Sequence, residues 1–155
     1  MRQTMRPRGL SISGAILVGL VAVFAAGGCA SAQTAGAGQG SAVQGYLVRQ
    51  DFSDCTNRDV SKVYSPLVGG SIWVTRMPDG TTGVKVALTV TPNTTYHFFL
   101  KCVRLLGDIT TDGEGIANVS FVFPTNSVGA VFAFDMYPEG APLGNKYQST
   151  QIAFP

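Results

Sequence analysis

The sequence predicts an all-β fold, a two-sheet Greek-key sandwich of seven or eight strands with a small barrel as the alternative. Three observations carry this. Val84, Val86, Leu88 and Val90 alternate with Lys85, Ala87, Thr89 and Thr91, the period-two pattern of a strand with one buried face. Similar short runs recur at intervals of roughly 8–12 residues with turn residues between them. Charged residues make up only 13% of the chain, while Gly, Ser, Thr and Val are plentiful, the balance of an extracytoplasmic β domain rather than a helical one.

Taken in order, Tyr46-Leu47-Val48-Arg49 reads as the first strand. Residues 51–64 are polar and irregular, with room for a short helical turn after Asp54 or Thr56. Pro66 and Gly69-Gly70 punctuate the chain before a strand over Ser71–Arg76. Met77-Pro78-Asp79-Gly80 has β-turn chemistry, Pro and Asp-Gly both favouring tight reversal. The alternating strand from Val84 follows, then a break at Pro92-Asn93 and a return strand from about Thr94 to Cys102. Leu105-Leu106 and Ile109-Thr110-Thr111 lead to a turn at Asp112-Gly113-Glu114-Gly115, with Ile116–Phe123 expected to pair across it. Val128–Tyr137 and Tyr147–Phe154 complete the set. No internal repeat is visible.

The break between the two central strands carries a resemblance. Val90-x-Pro92-x-x-x-Tyr96, followed by alternating apolar residues, resembles the tyrosine corner of fibronectin type III and immunoglobulin-like sandwiches. The resemblance covers about fifteen residues and implies an immunoglobulin-like fold, with the Tyr96 hydroxyl bonded back to upstream backbone. It implies no activity. The Cys–Trp–Cys spacing of true immunoglobulin domains is missing, because Cys102 follows Tyr96 by six residues rather than two.

The N-terminal segment divides the chain into residues 1–28, a signal peptide; 29–45, a flexible tether; and 46–155, the β domain. Arg2, Arg6 and Arg8 precede an apolar run from Gly14 to Ala26, the basic and hydrophobic regions of a secretory signal and short for a transmembrane helix. Ala26-Gly27-Gly28-Cys29 resembles a bacterial lipobox, which implies lipidation of Cys29. Ala30-Ser31-Ala32 equally offers a signal-peptidase site before Gln33. The Gly/Ala/Gln/Ser composition of Gln33–Gly45 suits a spacer that holds a domain off a membrane, which favours the lipidated form. Gly36, Gly38 and Gly40 belong to that spacer and lack the strand and helix a phosphate loop requires. Eleven Lys+Arg less the three signal arginines leaves eight against nine Asp+Glu. A near-neutral mature chain has no basic patch for nucleic acid.

Three cysteines are present. With Cys29 lipidated or removed, Cys55 and Cys102 remain to pair in an oxidising compartment. The loop they close corresponds to about 4 kcal/mol in the chain-entropy picture. Two cysteines and one histidine do not complete a structural zinc site.

His97, the sole histidine, alternates away from Tyr96, Phe98 and Leu100 and is expected to face outward with Phe99 and Lys101. One histidine is too few for a copper–zinc dismutase, and no Gly-x-Ser-x-Gly elbow supports a serine hydrolase. Asp108, Asp112, Glu114, Asp135 and Glu139 could supply paired carboxylates for glycoside hydrolysis or turn oxygens for calcium. Asp112-Gly113 is accounted for by turn geometry alone. Asn93-Thr94-Thr95 and Asn118-Val119-Ser120 match a glycosylation sequon, which a bacterial signal segment makes irrelevant. Tyr46, Tyr64, Trp73, Phe99, Tyr137 and Tyr147 exceed what a core of this size holds. Trp73, His97, Phe99 and Tyr137 form the candidate binding surface, although a domain of this size also needs large aromatics inside and Trp73 equally suits a sandwich centre. The expectation is an exported, lipid-anchored, non-catalytic binding or structural module of the cell envelope, without cofactor or metal, attached to the membrane through its lipid and to an envelope protein or polysaccharide. Sugar or small-ligand binding through exposed aromatics, and a carboxylate-based hydrolase, are the alternatives.

Overall fold

The computed structural model describes residues 42–60 and 69–154. Cys29, the signal segment, Tyr64 and most of the tether lie outside the described residues. Ten strands are present among them: β1 Val43–Arg49, β2 Gly69–Arg76, β3 Thr81–Thr89, β4 Thr95–Leu100, β5 Arg104–Thr110, β6 Ile116–Pro124, β7 Val131–Phe132, β8 Phe134–Pro138, β9 Tyr147–Ser149 and β10 Ile152–Ala153. All pairings are antiparallel. No α-helix occurs among the described residues, and a single 3₁₀ turn spans Thr125–Ser127.

Eight strands hydrogen-bond in one series, β5-β4-β8-β9-β1-β2-β3-β6, and this sheet wraps into a near-barrel, while β7 and β10 form a small second sheet. The strands expected to divide between two facing sheets therefore run in one continuous ladder. Two other expectations are corrected. β3 and β4 do not return on one another, because β3 pairs with β2 and β6 while β4 pairs with β5 and β8. Nor do β5 and β6 pair across the Asp112 turn, since they are the two ends of the sheet order. The turn itself forms as its sequence predicts: Asp112 Oδ1 accepts from the backbone N–H of Glu114 and Ile116 at 2.9 and 2.8 Å.

Polar ties close the end of the near-barrel where those links meet. The Val90 N–H donates to Gly115 O at 2.9 Å, and the Asn93 N–H to Asp112 O at 2.9 Å. Thr111 Oγ1 donates to Thr91 O at 2.7 Å and accepts from the Thr94 N–H at 3.0 Å. Gly115 has φ +82° and a Cβ there would meet Val90 O at 2.0 Å, so only glycine fits.

Alternation decides what is inside. Tyr96, Phe98 and Leu100 of β4, Phe134 and Met136 of β8, and Val84, Val86 and Leu88 of β3 all point into the core. Phe98 stacks on Phe134 at 5.2 Å and on Phe121 at 5.3 Å, which joins β4 to β8 on one side and to β6 across the open seam. β1 begins at Val43, inside the stretch expected to be tether, because Val43, Gln44 and Gly45 already pair with Val74, Trp73 and Ile72. The run Val128–Tyr137 divides into β7 and β8, and Tyr147–Phe154 into β9 and β10, as the chain leaves one sheet for the other.

Tyr96 is fully buried, and its hydroxyl donates to Asn145 Oδ1 at 2.7 Å. The bond implied by the tyrosine corner went to upstream backbone; here it goes across the sheet to the loop between β8 and β9. The alternation of β4 gives a direct test. Phe98→Ala is expected to lower stability by about 3–5 kcal/mol and Phe99→Ala by about 1 kcal/mol, read as shifts in a denaturant midpoint. Equal losses would mean that the register of β4 is misplaced.

Candidate functional site

The outer positions of β5, β4 and β8 bring three of the four candidate surface residues together. His97 is aligned with Asp108 on one side and Tyr137 on the other, and Phe99 with Leu105 and Asp135. Phe99 and Tyr137 stack with ring centroids 4.9 Å apart and 20° between planes, and His97 meets the edge of Phe99 at 6.5 Å. Leu105 is 48% exposed beside them and Val103, in the β4–β5 turn, 51%. An apolar strip thus crosses three strands.

Ion pairs border the strip. His97 Nδ1 lies 2.7 Å from Asp108 Oδ1, and Nε2 lies 3.1 Å from Glu139 Oε2. The imidazole pKa is raised, first by its hydrogen bond to Asp108 and then by that to Glu139. The two carboxylates occupy opposite ring nitrogens and so do not converge on one point. No group of three or more potential ligands able to hold a metal ion occurs among the described residues. Burial raises the Tyr137 phenol, and the nearby Asp135 carboxylate adds to the effect.

Trp73 stands apart. It lies on β2, and β9 and β1 separate that strand from β8. Its half-buried ring faces outward in line with Lys85 of β3, which in turn aligns with Ser120 of β6. With Ala87 and Asn118 these side chains surround an open depression of about 350 Å³. Tyr147, one of the six aromatics that could not all be core, is fully buried against Tyr96 at 5.9 Å, edge to face.

The predicted bridge is present: Cys55 and Cys102 are bonded, with their Cα atoms 5.6 Å apart. It fastens residues 51–60 over the outer face at the end of β4. Asp54 organises that segment by accepting from the Thr56 and Arg58 backbone N–H and from Arg58 Nε. These bonds, the Arg58 guanidinium foremost, hold its carboxyl well below the usual range. The helical turn expected after Asp54 resolves as two successive turns, with the Asn57 N–H donating to Asp54 O and the Val60 N–H to Asn57 O.

The segment covers a cluster that the sequence reading missed. Lys101, expected to face solvent with His97 and Phe99, is only 9% exposed, and Asn57 is 1% exposed. Lys101 Nζ donates to Asn57 Oδ1 at 2.5 Å, to Gln148 Oε1 at 2.5 Å and to Ser53 O at 3.3 Å. Asn57 Nδ2 donates to Phe134 O at 3.2 Å and Ser149 O at 2.8 Å. Burial pushes the Lys101 amine down and the Asp135 carboxyl up. The available signal was the bridge itself: tying Cys55 to Cys102 forces neighbouring residues over Lys101.

No family model matches the chain, and neither a curated protein nor a solved structure does.

The raised imidazole pKa gives a signed pH effect. His97 starts from 6.5 unfolded and lies higher when folded, so its contribution is complete below the unfolded value and is lost as pH rises through the folded one. Between roughly pH 6 and pH 8, the denaturant midpoint is expected to fall more for the wild type than for His97→Gln. Parallel pH profiles would show that the two carboxylates do not hold a protonated imidazole.

Proposed function

We propose that this chain is an exported, lipid-anchored, disulfide-bonded β module of the cell envelope that binds a protein partner rather than catalysing a reaction. The observation that carries the reading is the strip Leu105–Phe99–Tyr137, continuous over three strands and bordered by charges already paired with His97. An apolar centre with a polar rim is the anatomy of a protein interface. The Phe99 and Tyr137 rings cover one face of each other, which suits packing against side chains better than stacking on a sugar. Export is supported by the basic-then-apolar N-terminal segment and by the Cys55–Cys102 bridge, and lipidation by the small residues before Cys29. The Greek-key, immunoglobulin-like reading belongs to the same proposal; it rests on the crossover from β3 to β4 and on buried Tyr96.

The test combines position and contact in the native host. The membrane fraction should yield an intact mass that begins at an acylated Cys29, and Cys29→Ser should move the protein to the soluble fraction. A photo-crosslinking residue at position 105 should give a discrete protein adduct in intact cells, while one at Gln44, on the outer face of β1, should give none. Matching adducts from both positions, or none from either, would overturn the protein-binding reading.

A second reading is favoured by Trp73. A lone indole beside Lys85, Asn118 and Ser120 offers a stacking face with hydrogen-bonding neighbours, which suits a saccharide. Trp73 is the single tryptophan, so its emission reports on that depression alone. Saturable quenching by oligosaccharides of the host wall polymer, abolished by Trp73→Phe and weakened by Lys85→Gln, is the outcome expected of a sugar site. A flat titration would remove it.

A further inference from the structure

Lys101 is a buried cation-forming side chain whose hydrogen-bond partners among the described residues are all neutral oxygens, those of Asn57, Gln148 and Ser53. An unpaired ammonium is costly away from water, and burial accordingly shifts this group toward the free amine. Loss of one proton, and with it one of the three donated bonds, leaves a nucleophilic amine. The group in contact with it is the primary amide of Asn57, almost fully removed from solvent. That amide is fixed as well as near: both hydrogens of Nδ2 are engaged by the carbonyls of Phe134 and Ser149, while Oδ1 faces the lysine. The Cys55–Cys102 bridge, two residues from Asn57 and adjacent to Lys101, holds the two side chains together, and such confinement raises effective concentration by many orders of magnitude.

We propose that Lys101 and Asn57 are joined by an intramolecular isopeptide bond, formed without a cofactor once the disulfide has closed. The lysine amine adds to Asn57 Cγ, a new C–N bond forms, the Cγ–Nδ2 bond breaks and ammonia leaves. No oxidation or reduction is involved. The proton lost by Lys101 and the proton gained by the departing nitrogen balance, and we assign its transfer to Asp135. It aligns with Gln148 across the β8–β9 ladder, and burial shifts its carboxyl toward the protonated form, while its charge opposes the loss of the Lys101 proton until that proton is passed on. Gln148 also accepts a hydrogen bond from Lys101, but only Asn57 has its amide nitrogen held by two backbone carbonyls. Asn57 is therefore the acceptor.

The test uses the full chain, purified, reduced, alkylated and digested with trypsin. Peptide 50–58, which carries Asn57, is expected to remain attached to peptide 86–104, which carries Lys101 and escapes cleavage there. The linked species should weigh one ammonia less than the sum of its parts. This separates the cross-link from cyclisation of an N-terminal Gln33, which loses the same mass elsewhere. Asn57→Ala should abolish the linked species, and Asp135→Asn should slow its appearance by about a hundredfold, with the disulfide intact in both. Recovery of unmodified peptide 50–58 together with peptide 86–101, cut after a free Lys101, from protein whose disulfide has formed, would overturn the proposal. So would attachment of Lys101 to peptide 147–155, which carries Gln148.

Discussion

Period-two alternation along β4 is the constraint from which most of this molecule follows. One set of positions, Tyr96, Phe98 and Leu100, is fully buried and supplies the aromatic centre of the core. The other set, His97, Phe99 and Lys101, faces the opposite way and produces three different surfaces within a few residues. His97 is bound by two carboxylates, Phe99 is stacked on Tyr137, and Lys101 lies under the disulfide-held segment. A register slip of one residue would exchange the two sets, losing the core and the surface strip together. Phe98 resists that slip because its ring is held from both sides, by Phe134 and by Phe121.

A sheet that wraps this far must manage its two ends, and here side chains and backbone share the work. β5 and β6 end the ladder at a seam, where unpaired strand edges invite association with other chains. At the turn end, the Thr111, Asp112 and Gly115 contacts fasten the β3–β4 crossover to the β5–β6 link. Within the seam, Gly107 lies against the Phe121 ring, which a Cβ would meet at 2.7 Å. Outer positions of β1, β2, β3 and β6 carry no acidic residue, whereas Asp108, Asp135 and Glu139 gather about the strip on β4, β5 and β8. The two flanks of the near-barrel thus differ in charge as well as in shape.

What could be read from the sequence was whatever depends on neighbours in the chain. The β class, the turns at Asp79 and Asp112, and the outward direction of His97 and Phe99 follow from local periodicity and turn chemistry, and the structure contains all of them. The pairing order was not legible, since alternation says which face a strand buries and nothing about its partner. The Pro92-Asn93 break looks the same whether the chain turns back or crosses over. Trp73 and Phe99 looked alike as exposed aromatics and fall on separate flanks for the same reason. Lys101 was misread because the rule that places a lysine in water has no knowledge of a loop arriving from residues 51–60.

That loop poses the harder physical question, because it is polar and yet fixed. Residues 51–60 contribute Val60 to the buried apolar set, and Phe52 is 71% exposed, so hydrophobic burial contributes little to holding them down. The disulfide restricts the segment in the unfolded chain, and the Asp54 turn shapes it locally. Neither specifies where it docks. Asn57 does, because its amide reads two backbone carbonyls, Phe134 and Ser149, that lie on neighbouring strands, and a buried amide left unmatched would cost a few kcal/mol. Before the proposed bond forms, the lysine beneath completes the match by donating to the remaining oxygen. A polar cover specified by hydrogen bonds and closed by a disulfide leaves the adjacent Phe99–Tyr137 strip on a fixed floor, so under the binding role proposed above the strip would meet a partner without first ordering itself.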